Sequence, residues 1–219
     1  SHMSLQHHHL SPAAIPQAID LLSAWLKTRL PTEAFAWFDT ELRGLQTQAE
    51  QARWFKALGM APRKLGKADL EPSDAEVQAA LALREGLDPT EWSVDQTARI
   101  AFTLAFYQGD EAGFVQQVAM LVDTSEINEL LAIFRGFALF PHPQALEPKA
   151  REAIRSTMRP VYEAMSHRNP YPFEFFDEAA WNQMIVKAFF LDSSIWQIQG
   201  VDERYNADLS VILISLVQE

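Results

Sequence analysis

The sequence predicts an all-α fold in which antiparallel helices stack in layers, in the manner of helical-repeat proteins, with about nine to eleven helices and no sheet. Apolar residues recur at helical spacing along most of the 219 residues, with almost no alternation of the kind that strands show. Glycine is scarce, at 8 residues, which favours helices. The links within residues 93–138 are very short, so the helices that they join are expected to lie nearly antiparallel.

The individual helices can be placed in order along the chain. The first begins near Ile15 and ends before Pro31, and the second carries Phe35, Phe38 and Leu42 on one face. Further helices are predicted at about 48–58, 74–85, 93–108, 110–122, 124–138, 148–167, 177–191 and 206–218.

One helix stands out because it is apolar almost all round. The helix at 93–108 is therefore expected to be buried on more than one face, which favours stacked layers over a simple four-helix bundle. No residue-level repeat accompanies this architecture. Two other helix starts have the three-residue spacing of a capping box, Ser73 with Glu76 and Asp123 with Glu126.

The chain is expected to form one domain after a short tail. Residues 1–10 are predicted to be a disordered tail, and their first three letters, SHM, resemble the remnant of an expression tag. Residues 11–219 are predicted to form a single helical domain, within which 11–72 would be an N-terminal sub-bundle.

Composition narrows the function classes. The net charge of −11 argues against a broad nucleic-acid surface, because phosphate binding depends on clustered cations. No apolar run approaches the length of a membrane span, so an integral membrane protein is not expected. With no cysteine and no signal-peptide pattern, the prediction is a cytoplasmic protein without disulfides or thiolate metal sites.

The usual catalytic and cofactor motifs are missing. There is no HExxH, no glycine-rich nucleotide loop and no G-x-S-x-G elbow. The run HHH at 7–9 is interpreted as part of the tail, and a ligand role shared by His142 and His167 is a minor alternative. We therefore predict no cofactor, no metal and no assigned catalytic residue.

Two groups of basic residues are candidates for anion or partner binding. The first is a basic patch that is read either as a docking loop at 59–72 or as a solvated connector. The patch comprises Arg53, Lys56, Arg63, Lys64 and Lys67.

The second basic group is a ridge with a four-residue period on the predicted helix 148–167. Arg151, Arg155 and Arg159 form this ridge, and Pro160 is expected to kink the helix beside it. Arginine at such positions suits carboxylate or phosphate recognition, but a structural ion pair is the alternative interpretation.

The helix at 177–191 carries polar residues among many aromatic ones. Asp177 is the predicted N-cap, and Phe176 with Trp181 has the spacing of a hydrophobic staple. Glu178 falls within an apolar arc, so we expect it to be buried and paired with a cation such as Arg135 or an arginine of the ridge.

The segments RWFKALGMAPRKLGKADL, WSVDQTARIAF, FRGFALFPHPQAL, NPYPFEFFDEAAWNQMIVKAFF and IQGVDERYNADLS resemble the EboA-domain family from about residue 50 onward. The resemblance implies a place in bacterial gene clusters that move secondary-metabolite precursors toward the periplasm, beside a UbiA-like prenyltransferase and hydrolase-like proteins. It transfers no catalytic residue. It does mark motif positions, which are Arg135, His142, Asn169, Tyr171, Pro172, Asp177, Glu178, Trp181, Asn182 and Lys187.

Three functions remain open at this stage. The leading hypothesis is a non-catalytic binding or scaffold protein that handles a hydrophobic small metabolite together with other proteins of such a cluster. The alternatives are an enzyme on a prenylated or indolic precursor, with Glu178 or His142 as acid or base, and a pure protein interaction module. The candidate ligand or partner residues are Arg135, His142, Arg155, Asn169, Tyr171, Glu178, Trp181, Asn182 and Lys187.

Overall fold

The computed structural model of the protein describes residues 10–218. The predicted tail and the HHH run fall outside these residues, apart from Leu10, which is buried. The prediction of an all-α fold in packed layers is confirmed, since the described part contains twelve α-helices and no strand. Two isolated bridges, Asp69 with Ser93 and His167 with Ile198, are its only β-type pairings.

The helices are named in chain order. They are α1 (Ile15–Arg29), α2 (Thr32–Thr47), α3 (Gln51–Leu65), α4 (Asp74–Leu83), α5 (Val94–Phe106), α6 (Glu111–Thr124), α7 (Ile127–Gly136), α8 (Glu147–Arg155), α9 (Arg159–Ser166), α10 (Tyr171–Phe175), α11 (Glu178–Phe190) and α12 (Ala207–Gln218). Short 3₁₀ helices cover Pro12–Ala14 and Pro143–Leu146. None of the helices within residues 10–218 combines the length and the apolar character needed to cross a bilayer.

Helix α5 lies at the centre of the molecule. Every residue from Val94 to Ala105 is buried, and α1, α2, α3 and α7 all pack against it. The expectation of burial on more than one face is therefore confirmed. Its start is fixed by a capping box between Ser93 and Gln96, which the sequence analysis did not identify.

Helix α3 is longer than predicted, because Pro62 does not end it. A proline inside a helix leaves the carbonyl four residues earlier without its usual N–H donor. That carbonyl belongs to Leu58, and the Nε of Arg99 on α5 donates to it at 3.0 Å. Because the lost hydrogen bond is replaced, α3 continues to Leu65, and the predicted loop at 59–72 is wrong for residues 59–65.

The predicted helix 148–167 is in fact two helices. Helix α8 ends at Arg155, and the chain is extended at Ser156 and Met158 before α9 begins. Pro160 occupies the first turn of α9, where its missing N–H costs nothing, and Ser156 Oγ accepts from the N–H of Met158. The expected kink is therefore a break, and Met158 at this break is exposed.

The second predicted capping box is also wrong. Asp123 and Glu126 lie on either side of the link between two helices, since α6 continues to Thr124 and α7 begins at Ile127. The first capping box is confirmed, because Ser73 and Glu76 exchange both of the expected hydrogen bonds.

Candidate functional site

The segment from Asn169 to Phe190 is fastened into the core at its beginning. The side-chain amide of Asn169 donates to the carbonyls of Phe134 and Ala164, and its oxygen accepts from the N–H of Tyr171. The hydroxyl of Tyr171 donates to the carbonyl of Pro143 at 2.6 Å, and burial raises its pKa. Since these groups are satisfied by the protein, their arrangement is that of structural residues.

The buried carboxylate of this segment is Glu174 and not Glu178. Glu174 pairs with Arg84 through two hydrogen bonds of 2.8 and 2.5 Å, and both side chains are almost completely buried. The Nε of Arg84 also donates to the carbonyl of Ala138 at 2.9 Å. One charge pair thus joins the end of α4, the end of α7 and α10.

The prediction that Glu178 is buried is wrong. Glu178 is the first residue of α11, and this turn lies at the rim of the helix layer, where it lines a solvent-open pocket with Arg151 and Arg204. An exposed carboxylate in the first turn of a helix is favourable without a salt bridge, because the peptide dipoles present partial positive charge there.

Trp181 is fully buried under an arginine that the sequence analysis did not single out. The guanidinium of Arg204 lies 4.8 Å from the centre of the indole ring. It also donates to the carbonyls of Pro172, Phe173 and Phe176, at 3.2, 3.3 and 2.7 Å. Arg204 therefore binds the end of α10 to the start of α11.

Asn182 positions the last helix. Its amide and that of Asn206 exchange two hydrogen bonds, of 3.1 and 2.7 Å. Asn206 also accepts from the N–H of Leu209 at 2.9 Å, as an N-cap residue does. The pair of asparagines thus fixes the start of α12 against the middle of α11.

An open groove with a volume of about 850 Å³ lies between α11 and α12. Its walls are mainly apolar, and its polar groups stand at its edges. The groove is lined by Arg151, Ala179, Ala180, Asn182, Gln183, Val186, Lys187, Phe190, Asp208, Val211 and Ile212.

Helices α11 and α12 leave several large apolar side chains exposed, and Phe190, Val211 and Ile212 among them line the groove. At the end of α11, Phe189 and Phe190 are exposed by 53% and 69%. Helix α12 buries Leu209 and leaves most of its apolar residues in solvent. These exposed residues are Val211, Ile212, Ile214 and Val217. Exposed apolar side chains that line an open groove are a common feature of binding surfaces for ligands or partners.

Two cations line the groove, and one of them, Lys187, has no ion pair within the described residues. Lys187 is half-buried at the edge of the groove, and no carboxylate of residues 10–218 forms an ion pair with it. An ammonium group beside apolar walls can bind an anionic or strongly polar substituent of a hydrophobic molecule.

The other predicted site residues lie elsewhere. Arg135 and Asn169 line a separate polar pocket. His142 Nε2 forms a hydrogen bond of 2.9 Å with the hydroxyl of Tyr107, and its Nδ1 lies 3.5 Å from Glu111. Arg155 is exposed on α8.

The arginine ridge does not exist as one surface, because α8 ends before Arg159. Arg151 forms ion pairs with Glu147 and, at 2.7 Å, with Asp177, and Arg159 pairs with Glu163 at 3.2 Å. For these two arginines the structural alternative is the correct interpretation. Asp177 still caps α11, as predicted, by accepting from the N–H of Ala180.

Most of the predicted basic patch lies on the solvent face of α3. Arg53 is engaged with Glu41 at 2.9 Å. The remaining cations are exposed, and no ion pair is formed by them within the described chain. We call them the cationic face, and they are Lys56, Arg63, Lys64 and Lys67.

The two residues considered as acid or base in the sequence analysis have different surroundings. Glu178 has no second carboxylate as a hydrogen-bonded partner, and His142 is held by Tyr107. Across residues 10–218, no group of three or more histidine and acidic side chains is placed to hold a metal ion.

The comparison with protein families matches nearly the whole chain. The model of a family described as "Metabolite traffic protein EboA" covers residues 18–219. The chain belongs to the EboA family. No curated protein and no solved structure matches it.

Several residues of this EboA-family chain were missed by sequence reasoning because their partners are distant. Arg84 and Glu174 are 90 positions apart, and neither has a local motif. Arg204 and Asn206 belong to IQGVDERYNADLS, a segment quoted for the resemblance but not analysed for contacts. The position of Asn206 before an apolar helix is the one signal that could have identified it as an N-cap.

Proposed function

We propose that this protein binds a hydrophobic secondary-metabolite precursor in the groove between α11 and α12 and carries it for an ebo-type gene cluster. The observation that carries the proposal is the groove itself, with a volume of about 850 Å³, apolar walls and a free ammonium group at its edge. Small-molecule sites usually have volumes of about 300–1,000 Å³ and few polar groups. The family description, metabolite traffic, agrees with this role.

The chemistry of the groove suggests the class of ligand. Val186, Phe190 and Ile212 offer apolar contacts, and Lys187 lies beside them. An aromatic or prenylated molecule with one anionic or carbonyl group would satisfy both features. As part of this proposal the protein acts in the cytoplasm without catalysing a reaction.

A fluorescence titration tests the groove directly. With 1-anilinonaphthalene-8-sulfonate as probe, we expect Val211→Asn to weaken binding several-fold, because Val211 lines the groove. Val217→Asn is the matched control, since Val217 is on the same helix and more exposed but does not line the groove. Equal effects of the two substitutions would assign the probe to exposed apolar surface in general and contradict the proposal.

The role of Lys187 can be separated from that of the apolar walls. Lys187→Met should weaken the binding of the anionic probe 1-anilinonaphthalene-8-sulfonate. It should leave the binding of neutral Nile red unchanged, because the substitution removes only the charge. A matching loss for both probes would exclude the ammonium group as an anchor.

The natural ligand can be captured from cells that express the whole cluster. Mass spectrometry of the purified protein should detect a bound metabolite in the wild type and in Ala52→Trp, whose added ring lies on the exposed side of α3. The metabolite should be missing from Ala179→Trp, whose ring would fill the groove. If Ala179→Trp retained the same metabolite, the groove would not be its site.

A second proposal concerns partner proteins of the same cluster. We infer that the cationic face, on α3 and the segment just after it, contacts an acidic surface of one of them, because it exposes four cations without ion pairs within residues 10–218 in a chain with a net charge of −11. Such unmatched charge steers association with an oppositely charged partner.

Charge reversal tests this contact with the purified cluster proteins. In surface plasmon resonance, binding of the wild type to its partner should weaken as the salt concentration rises. The double variant Arg63→Glu with Lys64→Glu should not bind the partner. Lys27→Glu with Arg155→Glu makes the same change in net charge at exposed positions elsewhere and should leave binding intact. Equal loss in both double variants would indicate a general charge effect and reject the docking face.

A further inference from the structure

A small polar pocket of about 130 Å³ lies on the side of the molecule where α7 and α9 meet the turn after α9. It shares no lining residue with the groove, so it is independent of the proposed function. The lining residues that matter for its chemistry are Asp88, Glu91, Trp92, Arg135, Glu163 and Arg168.

Arg135 is one of two half-buried arginines that line this pocket, and its hydrogen-bond acceptors are all neutral. Its Nη1 donates to the carbonyl of Glu91 at 2.8 Å and to Gln96 Oε1 at 2.7 Å. Within residues 10–218 its Nε and Nη2 have no hydrogen-bond acceptor, and no carboxylate lies within ion-pair distance. Loss of hydration lowers its pKa, while Glu91 and Glu163 act on it only from farther away.

The acidic residues of the pocket are committed to other cations. Asp88 pairs with Arg168 at 2.8 Å, and Glu91 lies 3.8 Å from the same guanidinium. Glu163 accepts from Arg159 at 3.2 Å and from the hydroxyl of Ser193 at 2.5 Å. The charge that lacks a contact partner is therefore that of Arg135.

The neighbouring histidine does not change this balance at neutral pH. His167 lines the pocket, with its Nε2 3.1 Å from Ser193 Oγ and its Nδ1 3.8 Å from Glu163. Its burial lowers its pKa, although Glu163 and Glu91 oppose the shift and Arg159 adds to it. The imidazole is accordingly neutral at pH 7.

The wall of the pocket is held in a strained backbone conformation. Arg168 has a φ of 49°, in the left-handed region that side chains other than glycine rarely adopt. Its N–H donates to the carbonyl of Gln197 at 2.9 Å, beside the bridge between His167 and Ile198. Strain of this kind persists where neighbouring contacts fix it, and such positions cluster at binding sites.

We propose that the polar pocket binds a monocarboxylate group through the free edge of Arg135. A carboxylate matches the two donors Nε and Nη2 in a bidentate arrangement, and Trp92 offers an apolar wall to a short carbon chain. The pocket is small, so it takes a molecule of the size of acetate or pyruvate or the carboxylate end of a larger one. Three acidic side chains face the pocket, and they disfavour a dianion such as phosphate.

The test is an NMR titration of the ¹⁵N-labelled full chain at constant ionic strength. Acetate and pyruvate should each shift the Arg135 Nε–H and the backbone amides of 167–169 in a saturable way, and phosphate or chloride should bind at least tenfold more weakly. Arg135→Gln should lose the saturable shift at 167–169. Arg155→Gln, at an exposed arginine on α8, should keep it.

Three outcomes would overturn the proposal. They are the absence of a saturable shift with either carboxylate, binding of phosphate as tight as that of acetate, and equal losses in the two arginine variants. The selectivity of the wild type decides the question even if Arg135→Gln does not fold.

Discussion

At the scale of single residues, the charge pair between Arg84 and Glu174 is a buried interaction with a large desolvation cost. Both side chains are almost completely buried. The free-energy cost of this desolvation is offset because each charge has its partner and Arg84 also donates to two backbone carbonyls. Removing one member of such a pair leaves an uncompensated buried charge.

Glu174→Gln should therefore lower the free energy of unfolding by about 3–5 kcal/mol. Glu178→Gln, four positions later but exposed, should change it by less than about 0.5 kcal/mol. Urea unfolding followed by circular dichroism measures both variants. A larger effect at Glu178 would reverse the assignment of the buried carboxylate.

The contrast between these two glutamates shows where sequence reasoning reaches its limit. The N-caps Ser73 and Asp177 could be predicted, because each accepts a hydrogen bond from the N–H only three residues later in the chain. The helical wheel placed Glu178 in an apolar arc but contained no information about which turn of α11 lies at the rim. Only the tertiary partner, Arg84, decides which carboxylate is buried.

At the scale of elements, two helical glycines illustrate how packing decides the effect of one methyl group. A Cβ on Gly136 at the end of α7 would lie 2.7 Å from Phe140 Cζ and 3.0 Å from Ile100 Cγ1. A Cβ on Gly59, on the exposed side of α3, would meet no atom within 4 Å.

Gly59→Ala should stabilise the protein by about 0.5–1 kcal/mol, because alanine loses less backbone entropy in a helix. Gly136→Ala should destabilise it by about 1–3 kcal/mol through overpacking against α5. Denaturant midpoints of the two variants provide the comparison. Stabilisation by both substitutions would show that α7 can move away from α5.

Some helix boundaries could be predicted from local sequence, and others depend on tertiary contacts. The continuation of α3 past Pro62 depends on Arg99, which lies 41 positions from Leu58 and could not be inferred from the proline. The break before Pro160 had its local cause in the sequence, but the apolar pattern of 148–167 favoured one continuous helix. Burial of α5 was predictable because its own composition required it.

At the scale of the whole molecule, stability is expected to be unequal between the centre and the C-terminal end. Helix α5 is enclosed by four other helices, whereas α12 packs mainly on α11 and buries little apolar surface. Local opening needs less free energy where few buried contacts are lost.

Amide hydrogen exchange should therefore show α5 exchanging only through global unfolding and α12 exchanging faster through local opening. Asn182→Ala removes one side of the asparagine pair and should speed exchange across α12 while leaving α5 unchanged. Gln183→Ala, at the exposed neighbouring position, serves as the control. Unchanged protection of α12 in Asn182→Ala would show that the pair does not hold the helix.

The paired amides of Asn182 and Asn206 have a thermodynamic consequence for the groove. One wall of the groove is α12, for which we predict local detachment, and a ligand that needs both walls would bind only the docked state. Ligand binding would then stabilise the docked state of α12 relative to the undocked state. The stabilisation would be about 2.7 kcal/mol at a free ligand concentration of one hundred times Kd. The undocked fraction of α12 would therefore report ligand occupancy, even for a ligand that has no absorbance or charge of its own.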